Sequence, residues 1–195
     1  AQRVTIGAAS TCRSRPKKFD GLVILVGDST AKSLSDGFIT AAHNLGLEAM
    51  VFHQSGCPFQ GGDSPFNQYC QSGNRRNNDI WSAIRILRPV AVVVSNLNYL
   101  YVRDIGLPNL SIGSTRVAWA NETQRVFAQL QNLKIEGLLV QPVPEFTSDI
   151  RYDVSILKQY VDGEDQSMLN RGNVFLNEME TNAVMKVFDF RSILN

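Results

Sequence analysis

The sequence predicts an α/β fold, a three-layer sandwich in which helices cover both faces of a mostly parallel, five-stranded sheet of flavodoxin-like type. Two short apolar runs, LVILV (22–26) and VAVVV (90–94), are typical of parallel strands buried on both faces. Segments whose apolar residues recur at helical spacing lie between such runs. Alternating strands and helices indicate a parallel sheet with right-handed crossovers.

The first strand, turn and helix are the clearest unit. The strand at 22–26 leads directly into the tripeptide Gly27-Asp28-Ser29. Apolar residues then recur at helical spacing up to position 45, and Gly46 follows where a helix is expected to stop.

The remaining elements repeat this alternation up to the end of the chain. They are a strand at 49–52, a helix at 78–87, a strand at 90–94, a helix across 117–130, a strand at 137–140, a helix at 176–185 and a strand at 187–190. Residues 1–20 are expected to be a linker, and 21–195 a single domain.

Composition excludes several classes of function. The formal net charge of +1 offers no excess of one sign that would drive binding to nucleic acid. No apolar run approaches the length of a membrane span. The cysteines match neither the spacing of zinc ligands nor a CxxC motif, so we expect no metal and no other cofactor.

Two of the three cysteines bracket a loop with little apolar material. Cys57 and Cys70 enclose a polar segment rich in Gly and Pro, where a disulfide would restrain the chain. Two reduced, buried thiols are the alternative. Cys12 has no partner within this chain in either case.

Ser29 is the candidate nucleophile. It follows a buried strand, so its hydroxyl is expected at the carboxyl edge of the sheet, beside the amino end of the next helix. Free amides and the helix dipole there favour the oxyanion that forms when a serine attacks an acyl group. Asp28 is expected to support this turn by hydrogen bonding. The alternative is that both residues only cap the helix.

Two further segments follow the neighbouring strands. Gly56 lies in SGCPF, after the second strand, where a glycine allows its N–H to approach a substrate oxygen. Asn96 and Asn98 follow the strand at 90–94, and either side chain is a candidate third donor to the oxyanion. Glycine and asparagine are also common in ordinary loops.

Together, these segments resemble the SGNH hydrolase superfamily, and in particular the extracytoplasmic SGNH domain that is fused to acyltransferase-three membrane proteins. The resemblance is carried by VILVGDSTAKSL, LGLEAMVFHQSGCPF, a downstream cysteine and VQPVPEF, in register over about 22–146.

The resemblance implies roles for individual residues. Ser29 would be the nucleophile, and the oxyanion would be bound by the Ser29 N–H, Gly56 and an asparagine. Asn98 is preferred over Asn96, but the glycine-x-asparagine pattern of the family is not intact here. The resemblance also implies a disulfide between Cys57 and the downstream cysteine.

The resemblance further implies the partners. It indicates O-acyl transfer, in particular O-acetyl transfer, from an acyl donor to a cell-envelope saccharide. It also implies an upstream acyltransferase membrane domain and an extracytoplasmic location, periplasmic or at the cell surface.

The sequence departs from the family in one respect. Family members carry an Asp-x-x-His motif whose histidine is the general base, and this chain has none. His43 is expected on the surface and His53 in a loop after the second strand. We therefore expect a domain truncated at its C-terminus and nearly inert alone. The alternatives to a domain that performs acyl transfer are a free-standing secreted carbohydrate esterase and an inactive glycan-binding domain.

Overall fold

Five parallel strands form the centre of the structure. The structure is a computed structural model, and it describes residues 2–70, 72–97, 101, 106–140 and the backbone of 186–188. The strands in this part of the chain are β1 (Gln2–Ile6), β2 (Ala9–Ser14), β3 (Leu22–Gly27), β4 (Glu48–His53), β5 (Ala91–Ser95), β6 (Glu136–Val140) and β7 (Lys186–Phe188). The α-helices are α1 (Ser29–Asn44), α2 (Gly73–Leu87) and α3 (Ile112–Asn132), and Pro65–Tyr69 forms a 3-10 helix.

The predicted α/β sandwich with a mostly parallel sheet is confirmed. The strand order is β1-β2-β4-β3-β5-β6-β7, and β3 to β7 are all parallel to one another. These five strands match the five predicted from the sequence. The sheet is wider than predicted, because two antiparallel strands extend it beyond β4.

The two faces of the sheet are covered by different helices. Ala31 of α1 packs with Leu25 and Val51 on one face. On the other face, α2 and α3 contribute large side chains, among them Trp81 and Phe127, to the main core. Successive strand residues point to opposite faces, so the unbroken apolar runs in β3 and β5 supply both layers.

The expectation of a linker over 1–20 does not hold for residues 2–14. This segment forms the hairpin β1-β2, and β2 pairs antiparallel with β4. Arg13 and Arg15 form ion pairs with Glu48 on β4. In the hairpin turn, the Ala8 N–H donates to Asp79 of α2 over 2.6 Å. Main-chain pairing and these charges hold the hairpin, rather than a continuous apolar run.

The last predicted elements are covered only in part. The helix expected at 176–185 lies outside the described residues. The strand expected at 187–190 corresponds to β7, which pairs in parallel with β6. Among the helices that the structure describes, none is both long and apolar enough for a membrane span.

Candidate active site

The Gly27-Asp28-Ser29 turn lies at the carboxyl end of β3, and α1 begins at Ser29. A side chain at position 27 would collide with the carbonyl oxygen of Ser95 on β5. Glycine is therefore required there for β3 and β5 to approach closely. The close approach brings the turn next to the end of β5.

Asp28 is almost completely buried, with 1% of its surface exposed, and it is the N-cap of α1. Its Oδ1 accepts hydrogen bonds from the Thr30 N–H (2.8 Å) and hydroxyl (2.9 Å). Its Oδ2 accepts from the Leu97 N–H (2.7 Å) and the Tyr101 hydroxyl (2.9 Å). These four donors, all neutral, anchor the carboxylate between the start of α1 and the segment after β5. Burial, together with Asp28, raises the pKa of Tyr101.

Arg76 on α2 is the second buried charge near this turn, with 2% of its surface exposed. Its Nη2 donates to the carbonyl oxygen of Gly27 over 3.2 Å, and its Nη1 donates to Asn77 over 3.0 Å. Burial lowers the pKa of Arg76 to about 10, although Tyr101 and Asp28 act in the opposite direction. The guanidinium therefore remains charged at neutral pH.

Ser29 is partly exposed at the first position of α1. Its hydroxyl makes no hydrogen bond to any other residue that the structure describes; its carbonyl oxygen accepts from the Ser33 hydroxyl over 3.1 Å. The first turn of a helix has N–H groups without partners inside the helix, and the dipole adds positive potential. The Ser29 hydroxyl thus lies beside groups suited to bind a negative oxygen.

Gly56 lies in a turn after β4, at the same edge of the sheet as Ser29. The Cys57 N–H donates to the Gln54 carbonyl oxygen over 3.0 Å, and Gly56 has a φ of +69°, which favours glycine. The turn is tied to the Gly27-Asp28-Ser29 turn, because the Gln54 N–H donates to the Gly27 carbonyl oxygen over 3.3 Å. Nothing lies within 4 Å of where a Gly56 side chain would begin, so its backbone borders open space.

Cys57 and Cys70 form a disulfide, which confirms the predicted pair; their Cα atoms are 5.1 Å apart. Cys12 is a free thiol on β2. The disulfide joins the Gly56 turn to the end of the 3-10 helix Pro65–Tyr69. It therefore closes the polar loop that follows β4.

Polar side chains hold the same loop from the inside. Asn77 on α2 donates to the Pro58 carbonyl oxygen (3.1 Å) and to the Asn67 side chain (2.8 Å). Asn67 in turn donates to the Gly61 carbonyl oxygen over 2.7 Å. Since Arg76 bonds both Gly27 and Asn77, one buried network links the Ser29 turn with the loop that contains Gly56.

Of the two candidate asparagines, Asn96 lies in the described part of the chain. Asn96 is buried, and both ends of its carboxamide bond the backbone of Phe59: Oδ1 accepts from the N–H (2.9 Å), and Nδ2 donates to the carbonyl oxygen (3.1 Å). Asn96 therefore joins the end of β5 to the loop after β4. Asn98, the preferred candidate, lies outside the described residues.

Neither histidine is bonded to Ser29 within the described part of the chain. His53 ends β4 opposite Gly27, and burial, Lys32, Arg76 and Arg3 lower its pKa, which favours the neutral imidazole. His43 lies in the last turn of α1, partly buried rather than fully on the surface. At 1.5 Å per helical residue, it is about 21 Å along the helix from Ser29.

Sequence reasoning missed Arg76, Asn77 and Tyr101. One signal was available for the first two. They precede Ile80 and Trp81 by four residues, so they lie on the buried stripe of α2, where polar side chains are rare unless bonded. Tyr101 follows no comparable pattern.

The chain belongs to the family of SGNH domains described as fused to AT3 domains, whose model matches residues 2–185. Membership of this family indicates acyl-ester chemistry. No curated protein matches the chain.

Three solved structures are similar in part. A putative acylhydrolase from Bacteroides fragilis has 14% identity and a TM-score of 0.49, with 92% of this chain and 72% of that chain covered. A carbohydrate esterase family 2 enzyme with a carbohydrate binding domain, from Corynascus thermopiles (Myceliophthora fergusii), has 15% identity and a TM-score of 0.46, with coverage of 91% and 57%. The epoxide hydrolase VrEH1 from Vigna radiata has 13% identity and a TM-score of 0.34, with coverage of 84% and 46%.

Proposed function

We propose that this domain performs serine-dependent acyl transfer, in which Ser29 carries the acyl group as an ester and passes it to a hydroxyl of a cell-envelope saccharide. The observation that carries the proposal is the position of Ser29. It begins α1 directly after a buried parallel strand, and the turn containing Gly56 is bonded to the same segment. Acetyl is the acyl group that the family resemblance favours.

In the proposed reaction, the Ser29 oxygen attacks the carbonyl carbon of the donor, and its proton passes to a general base. The resulting oxyanion is bound by the N–H groups of Ser29 and Gly56, with Asn98 as the proposed third donor. The intermediate collapses to acyl-Ser29 as the donor leaves with a proton. The saccharide hydroxyl then attacks the ester and regenerates the serine.

The general base is the part of the reaction that the described residues do not supply. His53 and His43 make no hydrogen bond to Ser29 in the described part of the chain, and the 195 residues contain no Asp-x-x-His motif. The proposal therefore requires a histidine from elsewhere in the full-length protein. The missing motif favours one second candidate, a glycan-binding domain without turnover.

The disulfide supports an extracytoplasmic location, because such bonds persist mainly in oxidising compartments. The family description supports an acyl donor supplied by an attached AT3 membrane domain. If water replaces the saccharide as acceptor, the same site acts as a carbohydrate esterase.

The test compares the full-length protein with its Ser29→Ala variant, using an acyl donor and an envelope saccharide. Loss of the serine nucleophile is expected to reduce transfer by about a thousandfold or more. Ser35→Ala is the matched control, because Ser35 lies on the same helix and, among the described residues, its hydroxyl bonds only the Lys32 carbonyl oxygen.

Mass spectrometry provides a second readout: the peptide that contains Ser29 should gain one acyl group in the absence of acceptor. Unchanged transfer by Ser29→Ala would refute the proposal. Saccharide binding without transfer, by the wild-type full-length protein, would instead support the glycan-binding candidate.

A further inference from the structure

We infer that Arg76 is a positioning residue whose buried positive charge offsets that of Asp28, so that a negative oxygen can form beside Ser29. The inference rests on the proposed function, because it concerns the oxyanion formed during acylation of Ser29. Arg76 lies on α2, outside the segments that carry the family resemblance.

The carboxylate of Asp28 creates an electrostatic difficulty. It caps α1 immediately before Ser29, so its charge lies close to the place where the oxyanion develops. At an effective dielectric constant of about 20, two like charges about 6 Å apart disfavour each other by roughly a hundredfold in rate. An uncompensated Asp28 would thus oppose the reaction that its turn supports.

The hydrogen bonds to Asp28 do not remove this charge. All four donors, from Thr30, Leu97 and Tyr101, are neutral groups. They stabilise the ionised carboxylate and fix its orientation, but the net charge stays at −1. A cation nearby is required to cancel it.

Arg76 is a cation in the right place. Its guanidinium donates to the carbonyl oxygen of Gly27, which belongs to the peptide group that joins Gly27 to Asp28. The side chain is 2% exposed, so water screens its charge weakly. Among the described residues, the carboxylates in ion pairs are bound by other arginines, not by Arg76.

The position of the guanidinium is fixed from two sides. Nη2 bonds Gly27 and Nη1 bonds Asn77, whose own amide is held by Pro58 and Asn67. The charge is therefore in place before the substrate arrives, which is the condition for electrostatic stabilisation without reorganisation.

A purely structural role for Arg76 makes a different prediction from charge compensation. If Arg76 only holds the loops together, its loss costs the same whether or not Asp28 is charged. If Arg76 cancels the charge of Asp28, then removing both charges is less harmful than removing the cation alone. The two accounts can be separated by a double-mutant cycle.

The experiment measures acylation of Ser29 in the full-length protein by p-nitrophenyl acetate, a small neutral ester. The variants are Arg76→Gln, Arg76→Lys, Asp28→Asn and the Asp28→Asn/Arg76→Gln pair. Arg75→Gln is the matched control, because Arg75 precedes Arg76 on α2 and is exposed. The unfolding temperature of each variant is measured in parallel.

Arg76→Gln is expected to slow acylation by roughly a hundredfold, while Arg76→Lys keeps the charge and stays within about tenfold of wild type. Arg75→Gln should have no effect. The double variant should be at least about tenfold faster than Arg76→Gln. Additive losses, or a folded Arg76→Gln with wild-type acylation, would overturn the inference.

Two safeguards keep the test decisive. If Arg76→Gln does not fold, Arg76→Lys is compared with the double variant, and a lysine variant no faster than the double overturns the inference. If the wild-type protein is not acylated at Ser29, the proposed function itself fails. If it is acylated and the cycle is additive, only the role of Arg76 fails.

Discussion

Glu48 and Asp28 are both buried carboxylates, but they lie at opposite ends of the sheet and are stabilised differently. Glu48, at the amino end of β4, forms ion pairs with Arg13 and Arg15. Asp28, at the carboxyl end of β3, is bonded only by neutral donors among the described residues. Its balancing cation, Arg76, bonds a neighbouring carbonyl oxygen instead.

Under the proposed function, the difference separates a structural use of charge at Glu48 from a functional one at Asp28. At Glu48 the opposite charges meet directly, and the result is attachment of the β1-β2 hairpin. Burial by itself raises the pKa of Glu48, but the hydrogen bonds from Arg13 and Arg15 outweigh it and hold the pKa below its usual range. At Asp28 the arrangement instead positions the start of α1 and leaves the Ser29 hydroxyl unbonded to the described residues.

The largest loss in the free energy of unfolding should come from removing the Asp28 carboxylate. Asp28→Ala leaves the Leu97 N–H and the Tyr101 hydroxyl without their acceptor and Arg76 without a counter-charge. We expect a loss of about 3–5 kcal/mol in the free energy of unfolding. Glu48→Ala should cost only about 1–2 kcal/mol, because its arginines are partly exposed and become hydrated.

Urea unfolding of both variants provides the measurement for this comparison. Hydrogen exchange adds the location: Glu48→Ala should increase exchange mainly in β2, and Asp28→Ala throughout the sheet. Equal losses for the two variants would show that the arrangement of the donors does not matter.

A smaller loss in the free energy of unfolding is expected from removing the disulfide. It joins residues 13 positions apart, and the loss of such a closed loop destabilises a protein by about 3 kcal/mol at most where no other contacts hold the loop. Here Asn77 and Asn96 also hold it, so Cys57→Ala/Cys70→Ala should lose about 1–2 kcal/mol and still fold. Thermal unfolding with and without reductant measures this, and failure of the double variant to fold would contradict it.

The smallest effect is expected at His53, which lies at the same end of the sheet as Asp28. Burial and the surrounding cations lower its pKa in the folded state, so the folded protein binds a proton there less readily than the unfolded chain. Stability should therefore fall as the pH drops through the unfolded value near 6.5.

His53→Gln should remove that part of the pH dependence and change Ser29 acylation by less than about threefold. Denaturant midpoints between pH 5 and 8 test the first part. A large loss of acylation would instead identify His53 as the missing base.

Most of the central fold could be predicted because buried parallel strands have a simple sequence pattern. The runs in β3 and β5 are apolar on both faces, and the turn at Ser29 and the cysteine pair follow from their positions. The hairpin was missed, because β2 reads ASTCRS and contains no apolar run.

The polar network could not be predicted, because its bonds join residues far apart in the chain. The Arg76 bond to Gly27 spans 49 positions, and the Tyr101 bond to Asp28 spans 73. Sequence spacing carries no information on such contacts. The buried stripe of α2 indicates only that Arg76 and Asn77 need partners, not which ones they have.

The attachment of the hairpin also has a consequence for the order in which the chain folds. The turn of the hairpin bonds Asp79, 71 residues later, and Arg13 bonds Glu48, 35 residues later. During synthesis, β2 therefore cannot pair with β4 until that strand has emerged, and the hairpin turn lacks its contact with α2 until Asp79 has emerged. We expect the amino-terminal segment to be among the last to lock into the domain, although it is the first to be made.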